Sequence, residues 1–480
     1  MKTYITIASC LRHYQLPSSS TSHSIINETM ISGMLGFTSS GRAKEDVKLL
    51  PYTFDQDGYP FPNLYEEADE MLVVAMLMYI MTELRTMAKQ KQLQHGAERI
   101  LNLPTTLEAV ICCIEENYDA IRRQAADHEM ALQALKSIQE RFQKHSSLST
   151  SWINPFANTT TPQHQAQLTA FGDEQPDKEL VYAVAVDNCR RRITVAFRGS
   201  VTPTDFITDA CIEFSTRPHP LNVDATIGLH HGFDRYLLKH NGKTTDDDDD
   251  SSCKYQEIMA QVLTLFQQRS TKADYKLYVT GHSLGGALAC LFAFQAAAGR
   301  AVPWPVTCVS VASPRVGNQA FQTAFAQLEQ AGALRHLRLA HAQDPVTMMP
   351  KTNSTQMLAV LSPLAMLALQ AREALFASQY LYRHTGIKLR LLGQGSTFEL
   401  SYDGGTNLLL SPDTDEDDAS AKKRSSWLPF SMRMMPASSG VPGVTYHYCP
   451  TYATCLKANQ AALSALTLNE LYATLARKKL

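Results

Sequence analysis

Along this 480-residue chain the period of the hydrophobic positions changes near residue 179. Before it the pattern is helical, over residues 63–97 and again over 107–144. In the second stretch Leu107, Val110, Ile111, Ile114, Tyr118 and Ile121 recur at three- and four-residue spacing, which puts one apolar stripe on one helix face. From 179 onward short β-rich runs take over. Residues 180–186 and 193–197 flank the polar stretch 187–192 and predict a hairpin or two adjacent strands. A helix over 254–268, a strand over 275–280, a helix after Ser283 and a strand over 306–312 follow, then a helix over 318–330 and a strand over 334–339. Strands alternating with helices predict an α/β fold: a mostly parallel central sheet covered on both faces, preceded by an N-terminal helical region. Residues 1–60 are rich in Ser, Thr and Gly without a sustained period and are expected to be a poorly structured leader.

Composition narrows the class. The chain is 44% hydrophobic and 19% charged with a formal net charge of −2, so no bulk electrostatic argument favours nucleic acid. The acidic runs 246–250 and 413–418 are expected to be solvated loops, since contiguous carboxylates repel one another. Ten cysteines form no CxxC pair and no zinc spacing, so no metal or other cofactor is expected. Cys112, Cys113 and Cys308 lie in apolar stretches, which suits reduced, packed thiols and an intracellular rather than a secreted setting. The apolar runs 71–81 and 357–369 fall short of the ~18–20 residues that cross a bilayer.

Chemistry concentrates in Gly281-His282-Ser283-Leu284-Gly285-Gly286. A strand runs directly into this motif and a helix of small apolar residues, 286–293, leaves it. Glycines flank a serine in this way when it occupies a sharp, strained strand-to-helix turn that presents its hydroxyl as a nucleophile. Such a hydroxyl needs a base and an orienting carboxylate. Asp344 sits in a loop just past the strand 334–339, and His447 lies late in the chain after two glycines. His341 and His384 compete for the role of base, and spacing does not decide among the three.

Five segments carry a family resemblance. Over about residues 170–460 the chain resembles the class 3 lipases, the fungal-lipase-like group of the α/β-hydrolase fold. The segments are 193–209 (ITVAFRGSVTPTDFITD), His231-Gly232-Phe233, 280–286, 312–318 (ASPRVGN) with 338–350, and 382–386 (YRHTG) with the region of His447. The resemblance implies Ser283 as nucleophile, Asp344 as orienting acid and His447 as base, with His384 on a structural Tyr-x-His segment. It implies an oxyanion hole from Ser200 and the backbone N–H of Leu284. Two positions depart from the family pattern: Phe206 stands where the lid often carries a Trp, and Asp344-Pro345-Val346-Thr347 replaces Asp-x-Val-Pro.

The resulting expectation is a serine-dependent ester hydrolase of glycerolipids whose partner is a lipid substrate or lipid–water interface. The alternatives are a non-catalytic lipase-like scaffold and an acyltransferase using the same acyl-enzyme. The expected organisation is a leader over 1–60, a helical region over 61–150 and a hydrolase domain over 151–480. Insertions are expected at 241–253, 351–380 and 411–440. Segment 201–215 is the expected lid. For segments 357–380 and 422–435, the latter with Trp427 and Phe430 beside a basic triplet, ordinary packing is the expected role and contact with a lipid surface the alternative.

Overall fold

The computed structural model describes residues 60–93, 95–145, 166–176, 179–200, 214–239, 253–269, 275–350, 381–393, 397–403, 407–409 and 444–479. The expected leader apart from Pro60, the expected insertions apart from Cys253, and lid residues 201–213 lie outside these.

The first described element is helix α1 (Leu64–Lys89). Asn63 caps it by accepting from the Glu66 N–H at 2.9 Å. Its apolar residues face all sides rather than one stripe: Leu64, Met71, Leu72, Met76, Ile80 and Leu84 are all fully buried. The apolar run 71–81 is thus the middle of a 26-residue helix. By length and composition that helix could cross a bilayer, but 83% of its most apolar window is buried within the protein. It ends where Gln90, Lys91 and Gln92 turn the chain, with Lys91 at φ 58°, short of the expected 97.

Helix α2 (Ala97–Leu101) and the short strand β1 (Thr105–Thr106) lead to α3 (Leu107–Glu116), α4 (Tyr118–Gln124) and α5 (Glu129–His145). The helical pattern over 107–144 is therefore three helices rather than one. At the first break Asn117 adopts φ −115°, and its side-chain amide donates to the carbonyls of Cys113 (2.9 Å) and His95 (3.2 Å). A side chain that bonds the local backbone in this way favours a helix end over a helix interior.

The remaining strands build one ten-stranded sheet in the order β1-β2-β3-β4-β7-β8-β9-β10-β11-β12. Its strands after β1 are β2 (Gln167–Gly172), β3 (Tyr182–Asp187), β4 (Arg192–Phe197), β7 (Lys276–His282), β8 (Val306–Val311), β9 (Leu334–His341), β10 (Ile387–Leu391), β11 (Phe398–Asp403) and β12 (Asn407–Leu409). Strands β4, β7, β8, β9 and β10 pair in parallel, while both flanks are antiparallel. The β3–β4 pair is the expected hairpin, and Asp187 Oδ1 accepts from the Cys189 and Arg190 N–H groups in its turn. A separate ribbon, β5 (Phe214–His219) with β6 (Asn222–His230), precedes α6 (His231–Leu238).

Every residue of β4, β8 and β9 is buried, as expected for strands covered on both faces. One face carries α6, α7 (Lys254–Gln267), α8 (Leu284–Gly299) and α9 (Gln319–Gln330), with Leu277 and Val279 of β7 pointing into them. The other face receives Tyr278, Val309 and Leu337 from the sheet. It is covered by α1, α5, α10 (Cys449–Ala458) and α12 (Leu468–Lys479). Helix α11 (Gln460–Ser464) joins the last two. The fold is an α/β-hydrolase sheet whose second face is closed by helices from both ends of the described chain.

A buried ion pair pins that face. Arg335 of β9 donates to Glu67 Oε1 of α1 at 3.1 Å, to Thr307 Oγ1 of β8, to Tyr278 Oη of β7 and to Asn469 Oδ1 of α12. Tyr278 donates in turn to Glu67 Oε1 at 2.9 Å. Removing one partner of such a pair leaves an uncompensated charge in the core. Arg335→Met is expected to lower the unfolding free energy by about 3–5 kcal/mol; a loss below ~1 kcal/mol in urea titration would contradict this role.

Burial also sets the acid limit. It pushes His230 down to about 4, aided by His231. It pushes His336 down to about 3, aided by the Arg338 cation. The unfolded chain therefore binds protons at these sites below pH ~6.5 that the fold refuses until about pH 4 or 3. Stability rises with pH across that window and is insensitive to these groups above it, with a slope of about 1.4 kcal/mol per pH unit for each group. Melting midpoints should fall steadily from pH 6.5 to 4.5; midpoints that hold constant down to pH 5 would count against neutral buried histidines.

Candidate active site

Strand β7 stops at His282 and α8 begins at Leu284, so Ser283 is the whole turn. Its backbone adopts φ 59°, ψ −127°, a left-handed conformation that a side chain with a Cβ holds only under constraint. Its N–H donates to the Val311 carbonyl at 2.9 Å, and its carbonyl accepts from the Gly286 N–H at 2.9 Å. The flanking glycines are required by contact: a Cβ on Gly281 would lie 2.3 Å from the Gly285 carbonyl oxygen, and one on Gly285 would lie 2.3 Å from that of Phe197. The turn is thus wedged between the ends of β4 and β8.

Two distant segments complete the arrangement. Asp344 follows β9 and opens the 3₁₀ turn Val346–Met348, where its Oδ1 accepts from the Val346 N–H at 2.9 Å. His447 closes the 3₁₀ turn Val444–His447 ahead of α10. The Ser283 Oγ lies 2.9 Å from His447 Nε2. His447 Nδ1 lies 2.9 and 3.1 Å from Asp344 Oδ2 and Oδ1. A carboxylate only accepts, so Nδ1–H donates to Asp344 and Nε2 is left to accept from the serine hydroxyl. Ser283 is 1% exposed, and Asp344 and His447 are fully buried. Tyr452 of α10 donates to Asp344 Oδ2 at 2.7 Å and accepts from the His341 N–H at 3.0 Å, so it locks the carboxylate to the end of β9.

The competing histidines have other partners. The His384 ring donates from Nε2 to the Thr347 carbonyl at 2.7 Å, while Thr347 Oγ1 donates to the Asp344 carbonyl at 2.9 Å. His384 thus braces the turn behind Asp344, and burial holds it neutral. The His341 ring stacks on Tyr446 at 4.8 Å, and its Nδ1 accepts from the Gln343 N–H. Of the expected oxyanion donors, Leu284 is the first residue of α8, a position whose N–H has no partner within the helix. Ser200 follows Gly199, where a Cβ would come within 3.1 Å of Ser283 Cβ. Both lie beside the Ser283 turn.

One neighbour has no local signal in the sequence. His282 Nδ1 lies 3.0 Å from the hydroxyl of Tyr79 in α1, and His282 Nε2 lies 2.8 Å from the His447 carbonyl oxygen. Tyr79 is a lone hydroxyl in a Met-rich apolar run, 203 residues from its partner, and no spacing rule joins two such positions. Among the described residues no cluster of His, Cys, Asp or Glu could hold a metal ion.

The strain at Ser283 can be measured. Ser283→Ala keeps a Cβ in the left-handed turn and Ser283→Gly removes it. The glycine variant is expected to be the more stable of the two by about 1 kcal/mol, the relief of strain exceeding the added freedom of its unfolded chain. An alanine variant of equal or greater stability in denaturant titration would remove the argument for strain.

Residues 194–354 match the family model "Lipase (class 3)". The chain is 32% identical over 164 residues to phospholipase A1 EG1, chloroplastic/mitochondrial, of Oryza sativa subsp. indica, covering 34% of this chain and 36% of that protein. It is 32% identical over 168 residues to secreted mono- and diacylglycerol lipase 1 of Fusarium solani, covering 35% and 42%. The crystal structure of a lipase from Rhizopus microsporus var. chinensis is similar at 20% identity and a TM-score of 0.34, over 51% of this chain and 66% of that one. The chain thus spans about two fifths of the length of the curated relatives it matches. The segment similar to the class 3 lipases includes Ser200, Ser283, Leu284 and Asp344 but neither Tyr79 nor His447.

Proposed function

We propose that this chain is a serine-dependent carboxylic ester hydrolase that cleaves acyl esters of glycerolipids. The observation that supports it most directly is the hydrogen-bonded series Ser283–His447–Asp344, assembled on a strained turn and closed off from bulk water. The names of the relatives, a phospholipase A1 and a mono- and diacylglycerol lipase, support glycerolipid esters as the substrate class.

The chemistry follows from the donor and acceptor pattern. Ser283 Oγ attacks the ester carbonyl carbon while its proton passes to His447 Nε2. Asp344, held by the Val346 N–H and the Tyr452 hydroxyl, stabilises the imidazolium that forms. Negative charge develops on the carbonyl oxygen, where the Leu284 N–H and Ser200 are the donors. His447 then gives its proton to the departing alcohol oxygen. The acyl group remains on Ser283 until water, deprotonated by the same Nε2, releases it as a fatty acid.

Purified protein should release fatty acid from emulsified glycerolipid and should be labelled at Ser283 by a fluorophosphonate. Ser283→Ala should lower hydrolysis by on the order of 10⁴–10⁶ with the fold intact. Wild-type protein that is folded yet neither labels nor hydrolyses would instead identify a lipase-like scaffold. Wild-type activity surviving in Ser283→Ala would move the nucleophile elsewhere.

A further inference from the structure

Helix α1 lies outside the class 3 lipase segment, yet Tyr79 carries it to the nucleophile's turn. The Tyr79 ring is buried and meets the His282 ring edge-on at 5.9 Å. Two hydrogen bonds link its hydroxyl to the backbone of His447. The Tyr79 hydroxyl lies 3.0 Å from His282 Nδ1, and His282 Nε2 lies 2.8 Å from the His447 carbonyl oxygen.

Chemistry sets the direction. A carbonyl oxygen only accepts, so the proton of His282 is on Nε2. Burial and the neighbouring His447 push His282 well below the usual histidine range, so its ring is neutral and Nδ1 must accept. Burial keeps the Tyr79 phenol protonated, and its single proton goes to Nδ1. The same phenol therefore touches both sides of the site: the strand end that leads into Ser200, and the ring that supports the backbone of His447. The fit is close, since a Cβ on Gly199 would lie 2.3 Å from the Tyr79 hydroxyl and 2.5 Å from the His282 carbonyl oxygen.

We infer that Tyr79 is a positioning residue of the hydrolytic site, which holds the His282 ring so that its Nε2–H fixes the main chain of His447 opposite Ser283. The inference rests on the reading of Ser283, His447 and Asp344 as the reacting set. Without the phenol, His282 Nδ1 is a buried acceptor with no donor. A shift of the ring proton to Nδ1 would turn a lone pair of Nε2 toward the His447 carbonyl. Either outcome loosens the base without touching substrate.

Tyr79→Phe keeps the ring and removes the hydroxyl, so the full-length chain should still fold. Its kcat on emulsified glycerolipid should fall about tenfold, the factor carried by one ordinary hydrogen bond, with KM within twofold of wild type. The rate of Ser283 labelling by a fluorophosphonate should fall by the same factor. In a His282→Gln background the amide can donate to the His447 carbonyl with no need of a partner at Nδ1, so adding Tyr79→Phe should cost less than twofold. An equal loss in both backgrounds would show that Tyr79 acts only through packing, and an unchanged labelling rate in Tyr79→Phe would also overturn the proposal. Labelling separates the two levels. A chain that labels at Ser283 but hydrolyses no glycerolipid refutes the substrate assignment, while the labelling ratios still decide the role of Tyr79.

Discussion

A helix that is apolar on every side must be covered on every side, and α1 imposes that constraint on the whole molecule. The sheet supplies one wall through Tyr278, Val309 and Leu337, and α5, α10 and α12 supply the others. Hydrophobic burial alone is non-directional and would let such a helix rotate or slide. The Glu67–Arg335 pair removes that freedom, because its hydrogen bonds reach α1, β7, β8, β9 and α12 together. Ion pairs this deep contribute little net stability but set one register. With the register set, Tyr79, about three turns along from Glu67, arrives behind the elbow.

The elbow itself is a local conflict settled by its surroundings. Ser283 at φ 59° costs energy, and the close approach of Gly281, Gly285 and Phe197 leaves no room for the turn to relax. The strain therefore belongs to the packing of β4, β7 and α8 rather than to the serine. A hydroxyl presented on such a turn is aimed before any substrate arrives, so the reorganisation that would otherwise accompany reaction is already complete in the fold.

The sequence displayed some of this and concealed the rest for physical reasons. Buried parallel strands such as β4 and β8 are continuous apolar runs, and the serine turn announces itself through glycines that no other residue can replace. Strand β2 (QLTAFG) sits toward one flank of the sheet with four half-buried residues, and β5 carries Pro218 in a two-stranded ribbon; neither shows a clean alternation. The single helix expected over 107–144 broke at Asn117, because its amide competes for backbone carbonyls in a way that periodicity does not register. In the candidate site, Asp344 stands just past a strand end, but His447, His341 and His384 are separable only by their partners in space. Tyr79 was illegible because its hydrogen-bond partner lies more than two hundred positions away.

The Leu64 N–H donates to the Leu466 carbonyl at 2.7 Å, so the start of α1 is sealed by a residue that lies some four hundred positions later. During synthesis α1 is made long before α10 and α12, which help to bury it. Until they are made, a largely apolar helix has only part of its covering, the condition under which nascent proteins aggregate or call on chaperones. The same order governs the candidate site: His447 follows Ser283 by 164 positions, so the two cannot pair until that later segment has been made.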